Sequence, residues 1–557
     1  MRLPRADRLF PHDMRLGWRA TSLLAALALL IFLPGFTSLP PIDRDEARFA
    51  QATRQMLETG DYIDIRFQNA ARYKKPIGIY WLQAVAVKAW QSVTGTAATD
   101  VIWPYRLPSL VAAIASATLT GALGALLFGA RAGFAAGLLL ALSLIMNFEA
   151  RAATTDAALL ASVLTAQYVL ATAYCRAEGA ARLDGRLALI GWGAVGIGIL
   201  IKGPIILLVL GGTVAALAWI DPDRRWLKSL HPRTGALLSA AIVLPWLMLI
   251  IWKSKGAFVQ DSVGQDLLGK VLDGETTGRV PPGFHTLMLW VGFWPGSLLL
   301  LSALPWIWAH RRDKAVQFCL AWTLPTWIAF EIPMTKLPHY VLPAYPALAM
   351  LGASWLIKGA PAETRWSWDR LIAGIWALVS GALSLTVLVL PLYFERRLLA
   401  IPALLSMIAM LSLGAAYLLV AGRSGLASLA LGLSGVAFIS AATLTLADMP
   451  FLFPSRQITS AIRPLQGCPR TELVSAGFEE PSLVFLAGTQ IRFLDGATAA
   501  STAAASRCTL AIVESAQEET FLARARELGR TPRRLALAKG LNHANSKRCT
   551  LTLYAIP

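Results

Sequence analysis

Runs of about twenty mainly apolar residues return along the whole chain, and a run of that length is what a helix needs to cross a bilayer. Backbone groups in hydrocarbon must be satisfied internally, so a chain built this way is confined to a helical bundle in a membrane. Composition agrees. The 557 residues are 56% hydrophobic and 15% charged, against about 25% charged in soluble domains, and mean hydropathy is +0.55. The first run has no small-residue cleavage site after it and leads into a charged segment, so it reads as a span rather than a removed leader. The formal net charge is +18. Most of that excess sits in short loops between apolar runs, which is a topology signal and not a nucleic-acid footprint. The five cysteines are scattered without a C-x-x-C pair, which excludes a zinc or redox cluster of that type.

The predicted spans are 18–36, 105–128, 132–148, 157–174, 187–201, 204–220 and 235–252, followed by 286–308, 315–330, 340–357, 371–393, 399–421 and 425–446. The run 76–90 is left out. It is short for a span and carries Gln83 and Lys88, so it reads as an amphipathic helix lying at the surface. Loop charges support that choice. With 76–90 outside the bilayer, Arg131, Arg176, Arg182, Arg186, Arg224, Arg225, Lys228, Arg233, Arg311, Arg312 and Lys314 fall in loops on one side. That is the cytoplasmic side by the positive-inside rule. Arg2, Arg5, Arg8, Arg15 and Arg19 place the amino terminus there too. About thirteen spans, an odd number, put the tail on the opposite, periplasmic side. The predicted fold class is an all-α polytopic membrane domain over 1–449, with a first outer loop at 37–104. A small α/β domain follows over 450–557. Strands are expected at 471–475, 490–494, 509–513 and 550–555, with helical segments at 481–486 and 518–528. Cys468, Cys508 and Cys549 lie in this tail. An oxidising compartment allows one disulfide among them, and the sequence leaves the pair open.

The first outer loop holds the most informative cluster, with Asp43, Asp45, Glu46 and Arg48 just past a span. One reading is a solvated helix start, with Asp45 as a cap and Glu46 at the positive helix end. The other is a carboxylate held at the membrane surface to take a proton or bind a sugar hydroxyl. The same loop continues Arg72-Tyr-Lys-Lys-Pro-Ile-Gly-Ile-Tyr-Trp81. Its lysines either contact lipid phosphates generally or bind one specific phosphate. Glu149, Arg151 and Asp156, then Lys202-Gly203-Pro204, then Glu331 and Lys336-Leu-Pro-His-Tyr340 recur at the same ends of other spans. A lone lysine there commonly snorkels. Together, ionisable groups at membrane depth cost several kcal/mol unless paired or functional, on the order given by insertion scales. Several cations with a few carboxylates on one face suit a lipid-linked phosphate and a polar acceptor.

The ordered set of Asp45, Glu46 and Arg48, Lys75-Pro76 with Tyr80-Trp81, Arg106-Leu-Pro, Arg151 with Asp156, Lys202-Gly203 and Lys336-Leu-Pro-x-Tyr340 covers about 450 residues. It resembles the bacterial C-type glycosyltransferases related to protein O-mannosyltransferases, most closely the lipid A aminoarabinose transferase branch. The resemblance implies an inverting transferase that moves a sugar from a polyprenyl-phosphate (undecaprenyl-phosphate) donor to an envelope acceptor such as lipid A. It implies Asp45 as the catalytic carboxylate, supported by Asp156. Arg48, Lys75, Lys202 and Tyr340 are expected around the donor phosphate. Glu46, Arg151, Lys336 and, from the long loop 253–284, Lys270 are expected to support the acceptor. No cofactor is required on this reading and no metal ligands are assigned. His285 and His339 lack close carboxylate partners in sequence. Two family positions differ here, with Tyr73 two before Lys75 where an acid is common and Phe49 in place of the commoner Tyr. A lipid-linked sugar flippase is the alternative, expected to show mid-span polar residues and internal repeats. A non-catalytic scaffold has no need for Asp45, Lys75 and Lys202 together.

Overall fold

The computed structural model describes residues 15–175, 183–262, 264, 280–358, 368–420, 424–462, 464, 465, 468 and 470–556. Each predicted apolar run is met by a helix or by a chain of short helices. Seven helices are long and apolar enough to cross a membrane, or eight counting one bent pair. Trp18–Phe32, Ile205–Ile220 and Ala400–Ala416 are apolar but shorter. The run 286–308 is broken into Phe284–Gly292, Gly296–Ser302 and Leu304–Ala309, where Pro295 and Pro305 each remove a backbone donor. The bent pair is Ala130–Leu142 with Leu144–Ala150, turned by 67°. Ser143 between them is extended. Asn147 holds the bend by donating to the carbonyls of Ala141 and Ser143.

Small residues set how closely the central helices approach. A Cβ on Gly133 would lie 2.3 Å from the backbone N of Ala125, so only glycine lets Ala130–Leu142 close on Trp103–Phe128. At the periphery, only 22% of the apolar window of Pro232–Lys253 and 28% of that of Trp368–Glu395 are buried. Most of each therefore faces outward, as a lipid-contacting helix does.

The run 76–90 forms the helix Gly78–Thr94. Its buried side packs on Asp45–Thr59 through Phe49 and Tyr80, whose ring centres are 5.4 Å apart, and Thr53 donates to Gln83 at 2.6 Å.

The tail is a five-stranded sheet in the order Arg492–Leu494, Glu472–Ala476, Thr509–Glu514, Lys547–Ala555, Arg533–Asn542. The first three strands run parallel and the last two are antiparallel additions. The four predicted strands are present within a few residues. Helices Pro481–Ala487 and Ser515–Glu527 match the two predicted segments. The edge strand Arg533–Asn542 and the helix Gly496–Ala505 were not anticipated.

Cys468 pairs with Cys508, and Cys549 is buried and free. The bridge closes a separation of 40 residues, which the chain-entropy relation values at about 4 kcal/mol. Replacing both cysteines by serine is therefore expected to lower tail stability by up to that amount. Limited proteolysis of the tail with and without reductant measures it, and equal resistance of both proteins would show that the bridge does not secure the tail.

Candidate functional site

The polar residues singled out from the sequence gather at one end of the bundle, where the tail also docks. Asp45 opens the helix Asp45–Thr59 and is exposed. It lies close enough to Arg48, Tyr80, Glu149 and His339 to act on each electrostatically. The preceding residue, Arg44, has φ 72°. A non-glycine residue held there carries strain of order 1–3 kcal/mol, a state that surrounding contacts must enforce.

Glu46, next in sequence, turns inward and is 3% exposed. Its carboxylate accepts from Arg106 Nε at 2.7 Å and Nη2 at 2.9 Å, from the backbone N of Ala153 at 2.9 Å, and from that of Ile42 at 2.8 Å. Arg106 spends its other donors on the carbonyls of Phe36, Leu39 and Pro40. This buried pair ties the first span, the Asp45 turn and the loop before Asp156 into one unit.

The segments that carry Lys75 and Lys202 meet through a glycine. A Cβ on Gly78 would lie 2.8 Å from the carbonyl oxygen of Leu200, so the Lys75-Pro76-Ile-Gly78 turn rests directly on the end of Gly185–Lys202. Lys202 Nζ is 2.5 Å from Asp156 Oδ1 and 5.7 Å from the centre of the Tyr340 ring. Both Lys75 and Tyr340 are half-buried.

The charges of Arg48 and Arg72 act on each other. Burial first, then the charge of Arg72, pulls the Arg48 guanidinium below its usual value. Arg72 is buried, lies 4.9 Å over the Phe49 ring, and leaves its Nε unbonded. A buried guanidinium with an open donor, its charge acting on a second guanidinium, is suited to an anion. The sequence reading did not select Arg72. Its signal was present as a third cation in one loop with Lys74 and Lys75.

Two other selected residues, Arg151 and Lys336, and with them His285, are engaged within the protein. Arg151 donates to the carbonyls of Pro34, Asn147 and Ile31, closing the end of the first span. Lys336 is 3% exposed and donates to the carbonyls of Val280 and Pro333, each at 2.8 Å. His285 bonds Glu331 at 2.6 Å and the carbonyl of Leu337 at 3.1 Å. These bonds fasten 280–285 to 331–337. Lys270 lies outside the described residues.

Space supplies what sequence separates. Glu149 is buried and accepts from Thr154 at 2.5 Å, with His339 Nδ1 3.7 Å from its other oxygen. Ligand atoms of Glu149, Asp156 and His339 all lie within 4.8 Å of one another. His339 thus has two carboxylates beside it that its sequence neighbours do not reveal. A cation placed among them meets the Lys202 ammonium already paired with Asp156, so the donor set fits a metal only if that ammonium moves.

The chain matches known proteins over this region. A family model described as dolichyl-phosphate-mannose-protein mannosyltransferase matches residues 74–249. The undecaprenyl phosphate-alpha-4-amino-4-deoxy-L-arabinose arabinosyl transferase of Edwardsiella ictaluri is 27% identical over 345 residues, 61% of this chain and 59% of that protein. That of Pseudomonas fluorescens (the enzyme numbered 1) is 28% identical over 391 residues, 68% of this chain and 66% of that protein. The match therefore spans about three fifths of the length of these relatives. Among solved structures, ArnT from Cupriavidus metallidurans bound to undecaprenyl phosphate superposes with a TM-score of 0.75 at 18% identity, covering 95% of this chain and 97% of that one. The Archaeoglobus fulgidus oligosaccharyltransferase aligns with a TM-score of 0.53 at 12% identity over 85% and 64% of the two chains, a likeness of fold. The bundle and its appended α/β tail make this chain a multi-pass membrane protein with the fold of the Cupriavidus metallidurans structure, similar in sequence to the mannosyltransferase family model over 74–249 and to the aminoarabinose transferases.

Proposed function

We propose that this protein transfers a sugar from a polyprenyl-phosphate donor to an envelope acceptor, lipid A being the first candidate. The sugar suggested by its relatives is 4-amino-4-deoxy-L-arabinose. The observation that carries this reading is the convergence of Asp45 with Arg48, Lys75 and Lys202 at one end of the bundle, beside the Lys202–Asp156 pair. The leaving group is a lipid phosphate, and its departure builds negative charge. Lys75, Lys202 and Arg48 stabilise that charge, and Tyr340 donates a hydrogen bond to it. Fixed cations in a partly dry site act more strongly than in water. Asp156 holds Lys202 in place. Asp45 takes the proton of a hydroxyl acceptor, or orients a phosphate acceptor that is already a nucleophile. Attack opposite the phosphate inverts the anomeric carbon. We assign this face, with the tail, to the periplasmic side of a bacterial inner membrane, with the amino terminus in the cytoplasm.

The test is transfer by purified protein from short polyprenyl-phosphate sugars to lipid A and other envelope acceptors. Product with an inverted anomeric centre supports the reading. No transfer with any donor, together with donor flipping in vesicles, overturns it in favour of a transporter. A charge-assisted hydrogen bond contributes about 1.5–3 kcal/mol, so Lys75→Ala is expected to raise the donor KM by roughly ten- to a hundredfold. Acceptor KM changes little. An unchanged donor KM removes Lys75 from the phosphate site.

A further inference from the structure

We propose that the tail domain positions the catalytic carboxylate, with Asp43 as the positioning residue that couples Ser482 of the tail to the strained turn carrying Asp45. The inference rests on the transferase reading, since it concerns how Asp45 is held for that reaction.

The turn is held from both sides. On the downstream side Glu46 is locked to Arg106 and to the backbone N of Ala153. Upstream, Asp43 has no side-chain hydrogen bond from the membrane bundle to its carboxylate among the described residues. Its carboxylate instead accepts from the backbone N of Ser482 at 2.8 Å and from Ser482 Oγ at 2.7 Å. Ser482 Oγ is also 2.6 Å from Ser455 Oγ. Arg44 reaches the same domain and donates to the carbonyl of Ala544 at 3.2 Å. Glu480 accepts from the backbone N of that same Ala544 at 3.0 Å. The two residues before Asp45 are therefore both fastened to the tail, and the one between Asp43 and Asp45 is the residue at positive φ.

The seam is wider than these bonds. Gln51 donates to Thr489 at 2.8 Å, and Arg54 donates to the carbonyl of Phe485 at 2.5 Å. Phe485 is fully buried in one cluster with Ala50, Val87, Ile102, Tyr105 and Ala153. These contacts dock the tail on Asp45–Thr59 as a body. The Asp43–Ser482 bonds and the Arg44–Ala544 bond act on the turn itself, so the Asp43–Ser482 bonds can be cut without undocking the domain. A strained φ reverts when its contacts are lost, and a misplacement of about 1 Å at a reacting group costs about a hundredfold in rate.

The experiment uses the full-length protein in detergent or nanodiscs and compares wild type, Asp43→Ala, Asp43→Asn, Ser482→Ala and, as a control, Asp495→Ala. Asp495 caps a tail helix by accepting from Thr498. Two readouts are taken on each protein, namely transfer kinetics and backbone hydrogen exchange over residues 40–50. Asp43→Ala is expected to lower kcat by about ten- to a hundredfold with donor KM within about twofold, and to speed exchange over 40–50. Asp43→Asn, which keeps one acceptor oxygen, is expected to fall between, and Asp495→Ala to match wild type. Unchanged kcat in Asp43→Ala, or a loss of kcat without faster exchange, overturns the proposal. Faster exchange in Asp43→Ala in a preparation whose wild type transfers no sugar leaves the positioning intact and overturns the transferase reading instead.

Discussion

Transfer by Asp45→Asn is expected to fall by about 10²–10⁴-fold when the acceptor is a hydroxyl, the range of a lost general base. Several features make this a clean substitution. Asp45 is exposed at the head of its helix, so the change leaves no buried charge unpaired. Asparagine is also an accepted residue at helix starts. Loss of rate therefore reports chemistry more than folding. The loss is selective for kcat if Asp45 acts only as the bond to phosphate breaks. A phosphate acceptor has no proton to give up, and there the same substitution is expected to cost less than about tenfold, the part due to orientation alone. Running Asp45→Asn with both acceptor types separates the roles. A large loss with hydroxyl acceptors and a small one with phosphate acceptors identifies a base. Equal rates in wild type and variant with every acceptor would remove Asp45 from the reaction.

The membrane fold was legible because each predicted span is a sustained apolar run and lipid forbids most alternatives. What was not legible is where those runs break. Nothing in the pattern around Ser143 announces a 67° bend, which depends on Asn147 folding back on its own helix. The run 76–90, marked off from the spans by loop charges and by Gln83 and Lys88, is a helix over Gly78–Thr94. In the tail, the edge strand Arg533–Asn542 escaped because only one edge of it is covered, and its alternation is interrupted by an irregularity between Arg534 and Ala536. Gly496–Ala505 escaped because a run dominated by alanine, with small polar residues between, defines no strongly apolar face.

The site was half legible for a related reason. Ionisable residues stand out against apolar sequence, so Asp45, Asp156, Lys75 and Lys202 could be chosen. Which way a side chain turns is not written in a one-dimensional pattern. Asp45 and Glu46 are adjacent acids at a helix start, yet successive helical positions point about 100° apart. One faces out and the other is sealed against Arg106. Arg151 and Lys336 look like site cations, and their donors are spent on backbone carbonyls. Glu149 and His339 look unrelated and are neighbours.

The Arg106–Glu46 pair is where the largest stability effect is expected. Both side chains are buried, at 0% and 2% exposure, and removing one partner leaves the other charge uncompensated at a cost of about 3–5 kcal/mol. Arg106→Met should therefore lower the unfolding midpoint sharply. Glu46→Gln should cost less, because an amide oxygen still accepts one bond from Arg106. Arg106→Lys tests the geometry apart from the charge. A lysine has three donors on one atom and cannot reach two carboxylate oxygens and three carbonyls arranged as a fork, so it should restore little of the loss. The double variant Arg106→Met/Glu46→Leu should lose less than the two single changes added together, since neither charge then remains buried alone. Thermal unfolding in detergent, followed by tryptophan fluorescence, gives all of these. Because the carbonyls of Phe36, Leu39 and Pro40 lose their donor in every Arg106 variant, the turn before Asp45 also loosens. Transfer should then fall at temperatures well below the midpoint. An Arg106→Lys protein with wild-type midpoint and wild-type transfer would show that a positive charge alone suffices at this position and that the five-bond fork does not set the turn.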